Sequence, residues 1–142
     1  MTDGNKKTGF NRDTVYRGAE SITEDQVRQV SEREAEIRAR FDRPGPIGRV
    51  LSDVNLLLAL IKDYWTREYR QVPWWVIAAI TFCFLYVVNP VDLLPDWVPI
   101  IGQIDDLVVI TACLVLIQQE LQEYKAWKIG QARSDSNDEP QP

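Results

Sequence analysis

The sequence contains no histidine, two cysteines and, between residues 71 and 119, neither lysine nor arginine. Without histidine, the usual general base and every histidine-dependent triad are excluded. Cys83 and Cys113 lie in separate apolar runs, so they offer too few soft ligands for zinc and predict two buried free thiols. The net charge of −5 and the lack of a basic field argue against a nucleic acid partner.

Several functional motifs are also missing. We find no glycine-rich phosphate loop, no nucleophile elbow and no metalloprotease helix in the sequence. The first residues are polar and lack an apolar core, so we expect no cleavable signal peptide. A chain of 142 residues is long enough for one domain with tails.

Charge is distributed unevenly along the chain. Residues 1–70 carry 13 Lys/Arg and 12 Asp/Glu, and residues 120–142 carry three and five. The only charges between residues 71 and 119 are four aspartates, Asp92, Asp96, Asp105 and Asp106. This distribution predicts polar segments on both sides of an apolar centre.

The N-terminal part predicts a disordered tail over 1–22 and a polar, cytoplasmic helix over 23–43. Thr23 and Gln26 have the spacing of a capping box at the start of that helix. Its apolar residues form a narrow stripe, and the rest of its surface is Glu and Arg, which favours a solvated helix over a coiled coil. The stripe consists of Val27, Val30, Ile37 and Phe41.

Pro44-Gly45-Pro46 interrupts the helical pattern and marks a boundary. An amphipathic helix is predicted after it, over 47–70. Apolar residues recur there at three- and four-residue steps, from Ile47 to Tyr69. Such a helix either packs on the apolar segment that follows or lies in the membrane interface. The sequence leaves both interpretations open.

Residues 72–119 predict a membrane-embedded helical hairpin. The run from Val72 to Asn89 would be roughly 27 Å long as a helix, close to the roughly 30 Å of a hydrocarbon core. The run from Ile104 to Gln119 is shorter and is interpreted as the return leg. Lys and Arg flank the hairpin but are absent from the turn over 89–106, so both termini are expected in the cytoplasm. The polar C-terminal tail, 120–142, ends in a segment of disordered composition.

The turn resembles a known family. The proline, aspartate and glycine spacing between Tyr86 and Asp106 is similar to the signature of the YkvA-like domain of unknown function, whose members are mainly small bacterial membrane proteins without an established activity. The resemblance covers roughly residues 72–110 and implies membrane residence, in a bacterial inner membrane or another endomembrane. The motif residues are Tyr86, Pro90, Asp92, Pro95, Asp96, Pro99, Gly102, Asp105 and Asp106.

The aspartates of the turn have two interpretations. In the structural one, the prolines stiffen the connection and Asp105 or Asp106 caps the second leg, where the helix dipole favours a negative charge. In the functional one, Asp92, Asp96, Asp105 and Asp106 converge on Mg²⁺ or Ca²⁺, which prefer oxygen ligands. We favour the structural interpretation.

The sequence therefore predicts an all-α, multi-pass integral membrane protein. Its expected role is that of a non-enzymatic scaffold, in contact with the bilayer and with a protein partner or a second copy, and without a cofactor. One alternative is a cation-dependent enzyme or transport element that uses the aspartate cluster. The other is a soluble helical bundle in which both apolar runs form the core.

Overall fold

The computed structural model describes residues 11–88 and 106–137, and these residues form helices and connecting turns with no strand among them. The all-α fold class is therefore confirmed for the described part of the chain. The helices are α1 Arg12–Ala19, α2 Glu24–Glu32, α3 Glu34–Phe41, a 3₁₀ helix Pro46–Val50, α4 Leu51–Trp65, α5 Trp74–Val88, α6 Asp106–Leu116 and α7 Gln118–Asn137.

Helix α5 lies at the centre of the bundle. Its sequence is apolar on every side, and all residues from Val76 to Val87 are buried. It packs against α1, α2, α3, α4 and α6. A helix that is apolar all round needs either a protein core or a bilayer around it. In this bundle, helices of the same chain surround it.

The predicted disordered tail, 1–22, is wrong for residues 12–19, which form α1. The Asn11 side chain accepts from the backbone N–H of Thr14 at 3.1 Å, and the Thr14 hydroxyl accepts from that of Asn11 at 3.3 Å. Val15 and Gly18 are buried, and α1 packs against α5 and α6. This segment contains few large apolar residues. The residues on the inner side of α1, such as Val15 and Gly18, are small, so the helix can pack closely against its neighbours.

The predicted helix over 23–43 is divided into α2 and α3. Its capping box is confirmed, since Thr23 Oγ1 accepts from the Gln26 N–H at 3.3 Å and Gln26 Oε1 accepts from the Thr23 N–H at 2.9 Å. Arg33 interrupts the helix with φ −105° and ψ 25°, and both halves then pack against α5. The helix is not simply solvated, because its whole apolar stripe is buried.

The predicted helix over 47–70 begins as the 3₁₀ helix and ends earlier than expected, at Trp65. Arg67 has a φ of 69°, in the left-handed region that a continuing α-helix cannot use. Val54, Leu57 and Ile61 of α4 are buried, and α4 packs against α5. Packing on the apolar core is thus the observed role of its apolar face.

The two apolar runs form α5 and α6, which pack against each other. The second run does not continue straight to Gln119, because the chain bends by 79° between α6 and α7. The predicted polar tail is helical as far as Asn137, and it buries Leu121 and Tyr124.

Candidate functional site

Most of the predicted site falls on residues outside the described ranges. Asp92, Asp96 and Asp105 belong to this group, together with Pro90, Pro95, Pro99 and Gly102. Two motif residues are described. Tyr86 is buried near the end of α5, with its ring centroid 6.0 Å from that of Phe82, and Asp106 is the first residue of α6.

Asp106 is engaged in an ion pair. Its Oδ2 accepts from Nε of Arg40 at 3.0 Å and from Nη2 at 2.9 Å. The position in the first turn of α6 also favours a negative charge. Within residues 11–88 and 106–137, no group of three or more Asp, Glu or Cys side chains is arranged to hold a metal ion.

The outer face of α6, formed by Val108, Thr111 and Val115, is exposed and uncharged, and its two valines are apolar. These residues recur at steps of three and four, so they share one side of the helix. The opposite side, with Val109, Ile110 and Cys113, is buried in the core. Since no residue from 107 to 117 is charged, α6 is apolar on both sides although only one side is covered.

Two clefts flank Val115. The first has a volume of about 360 Å³ and lies between α4, α6 and α7. The second, of about 490 Å³, has Tyr16 and Trp75 on its other side, and their rings lie 5.7 Å apart. Val115 is therefore an exposed apolar residue that lies between the two clefts and lines both of them.

Helix α7 is fastened to α4 by a polar cluster that the sequence did not reveal. Asp63 Oδ2 accepts from the Tyr124 hydroxyl at 2.6 Å and from the Lys128 ammonium at 3.0 Å. Burial, reinforced by the hydrogen bond to Asp63, raises the pKa of the Tyr124 phenol well above its usual range. The phenol therefore stays protonated and keeps donating to Asp63.

An aromatic group covers this cluster. The ring of Tyr69 lies 5.0 Å from that of Tyr124 and 4.9 Å from that of Trp127. Aromatic rings that follow an apolar run, as Tyr124 and Trp127 do, are typical of a membrane interface. In the structure both rings pack on Tyr69 of the same chain. The Tyr–x–x–Trp spacing places the two rings on one side of the helix, and this was the feature of the sequence from which their shared packing could have been predicted.

None of the described helices alone combines the length and apolar composition of a membrane span. Helix α6 and the segment Gln118–Ser134 meet that criterion only together, across their bend of 79°.

Comparisons with known proteins agree with the motif. Residues 76–112 match the family described as "Protein of unknown function (DUF1232)". A protein of Bacillus subtilis (strain 168) described as "Uncharacterized membrane protein YkvA" is 26% identical over 81 residues, which cover 57% of this chain and 76% of that protein. No solved structure matches the chain. The resemblance to the YkvA-like family is thus confirmed.

Proposed function

We propose that this chain is a membrane-associated, non-enzymatic scaffold that contacts the bilayer through the outer face of α6. The observation that carries the proposal is exposed apolar surface on a helix that carries no charge after its first residue, Asp106. Val108 is 47% exposed and Val115 is 52% exposed. Moving such a surface from water into hydrocarbon is favourable in proportion to its apolar area.

The comparisons support a membrane location. The similar protein of Bacillus subtilis is described as a membrane protein, and the family match over residues 76–112 takes in Val108 and Thr111 of the outer face. Tyr16 and Trp75 lie beside the second cleft, and amphipathic rings of this kind favour the membrane–water boundary.

The multi-pass hairpin with both termini in the cytoplasm is the second mode of attachment. The absence of Lys and Arg between residues 71 and 119 favours it. It would require α5 to exchange its contacts with α1, α2, α3 and α4 for contacts with lipid. Because α5 is buried among these helices, we favour attachment to one leaflet.

The scaffold role is assigned to the outward surfaces of α2 and α3. Their apolar stripe is in the core, which leaves charged side chains such as Glu24, Arg28 and Glu36 toward water. A protein partner or a second copy would therefore meet a charged surface. Association of this type weakens as salt rises, because exposed charges are screened. Light scattering at low and high salt tests self-association directly.

Vesicle flotation tests the membrane contact. We expect the full chain to float with phospholipid vesicles and the double variant Val108→Lys, Val115→Lys to stay at the bottom of the gradient. Ile129→Lys is the matched control, since Ile129 is also an exposed aliphatic residue, 49% exposed, but lies on α7. If the double variant retains its helical circular dichroism and still floats like the unmodified chain, the outer face of α6 is not the contact.

Thiol labelling separates the two modes of attachment. A cysteine would be introduced by Asp96→Cys in a chain in which Cys83 and Cys113 are replaced by alanine. One-leaflet attachment from the cytoplasmic side predicts labelling only from that side. Labelling by an impermeant reagent from outside, with carbonate-resistant membrane association, would establish the two-span hairpin instead.

A further inference from the structure

The cleft between α4, α6 and α7 carries charges of opposite sign on two of its sides. Asp53 of α4 and Lys125 of α7 both line it. The remaining wall is largely apolar and continues onto the outer face of α6 through Val115. Its apolar members are Leu56, Leu114, Val115 and Leu121.

Asp53 and Lys125 do not form an ion pair with each other. In the described part of the chain, neither Asp53 nor Lys125 forms an ion pair with any residue. The same two helices are joined elsewhere by Asp63 and Lys128, whose charged atoms are 3.0 Å apart. Asp53 and Lys125 therefore line the cleft with their charges available to a ligand.

We propose that this cleft binds the headgroup of a phospholipid that carries a primary ammonium, of the phosphoethanolamine type. Lys125 binds the phosphate, Asp53 accepts from the ammonium, and the first acyl carbons lie along Leu114 and Val115. The volume of about 360 Å³ lies within the roughly 300–1,000 Å³ of small-molecule sites. This inference rests on the proposed contact between the outer face of α6 and the bilayer.

The charge pattern selects among headgroups. A quaternary ammonium has no N–H to donate to the Asp53 carboxylate, and a glycerol headgroup has no positive charge for it. A primary ammonium gives a charge-assisted hydrogen bond, which is stronger than a neutral one. The site should therefore distinguish phosphatidylethanolamine from phosphatidylcholine at equal surface charge of the vesicle.

The test compares two sets of vesicles by quantitative flotation of the full chain. One contains phosphatidylglycerol and phosphatidylethanolamine in equal amounts, and the other contains phosphatidylglycerol and phosphatidylcholine. We expect roughly tenfold stronger partitioning to the first set, equivalent to about 1.4 kcal/mol. Asp53→Asn should remove this preference, whereas Lys125→Ala should weaken binding to both sets, because the phosphate is common to the two headgroups. Lys62→Ala and Asp42→Asn, which change the same charges outside the cleft, should keep the preference.

Each outcome has a defined meaning. Equal binding of the unmodified chain to both vesicle sets overturns the headgroup site and leaves the contact through α6 standing. A preference that persists in Asp53→Asn also overturns it, because the ammonium is then recognised elsewhere. If the chain binds neither vesicle set, the inference and the proposed membrane contact both fail. Asp53 lies in the first turn of α4, so circular dichroism of Asp53→Asn checks that the helix is intact.

Discussion

Arg40 donates two hydrogen bonds to the same oxygen of Asp106, from Nε at 3.0 Å and from Nη2 at 2.9 Å. The pair joins the end of α3 to the start of α6, although the two residues are 66 positions apart in the chain. Asp106 was a candidate metal ligand and a candidate cap. In the structure its carboxylate connects the N-terminal helices to the helix that bears the outer face.

Breaking this pair should destabilise the fold measurably. For Asp106→Asn we expect a loss of about 1–2 kcal/mol in the free energy of unfolding, because a charge-assisted hydrogen bond and a favourable helix-end charge disappear together. Urea denaturation measures it. A double-mutant cycle with Arg40→Gln should give a coupling of about 1 kcal/mol. Additive single effects would show that the two side chains do not interact in solution. Glu36→Gln, in the exposed pair of Arg33 and Glu36, serves as a control with a smaller effect.

The cation hypothesis for the turn makes a separate prediction. Asp106 is paired with Arg40, and the other candidates are Asp92, Asp96 and Asp105. If they hold Mg²⁺ or Ca²⁺, the unmodified chain should give a calorimetric binding signal that the double variant Asp92→Asn, Asp96→Asn abolishes. The melting temperature without cation should not change. A flat titration of the unmodified chain removes the hypothesis.

The contact between Tyr124 and Asp63 predicts sensitivity to alkaline pH. The pKa of Tyr124 is raised in the folded chain, whereas an unfolded tyrosine titrates near 10. The stability due to this group is complete below about pH 10 and is lost as the pH rises from there toward the folded pKa, because the unfolded state releases its proton first. We expect Tyr124 to contribute a loss of roughly 1 kcal/mol by pH 11.

Tyr124→Phe isolates this contribution. The variant should be about 1–3 kcal/mol less stable at neutral pH, because Asp63 loses a hydrogen bond. Its stability should then fall less steeply between pH 9 and about pH 11 than that of the unmodified chain. Tyr16→Phe is the control, since Tyr16 is 47% exposed, and it should leave the pH profile unchanged. Parallel profiles for the unmodified chain and Tyr124→Phe would contradict the role given to this phenol.

The sequence predicts local features better than their surroundings. The Thr23 capping box and the two apolar runs depend on near neighbours and on periodicity, and both appear in the structure. Whether the stripe from Val27 to Phe41 faces water or a core depends on helices distant in the chain, and periodicity carries no such information. The bond between Tyr124 and Asp63 likewise depends on the bend after α6.

Helix α1 provides the most direct test of the bundle, because the sequence predicted disorder where the structure has close packing. A Cβ at Gly18 would lie 2.3 Å from Cε1 of Phe82. Gly18→Ala should therefore force α1 away from α5 and lower the free energy of unfolding by about 1–3 kcal/mol, the usual cost of overpacking.

Gly130→Ala is the matched control. Gly130 lies within α7 with nothing within 4 Å of its added Cβ, so alanine there should stabilise the helix by about 0.5–1 kcal/mol. If residues 12–19 were disordered, Gly18→Ala would leave stability unchanged. Opposite signs for the two glycine substitutions in urea denaturation would establish that α1 belongs to the core.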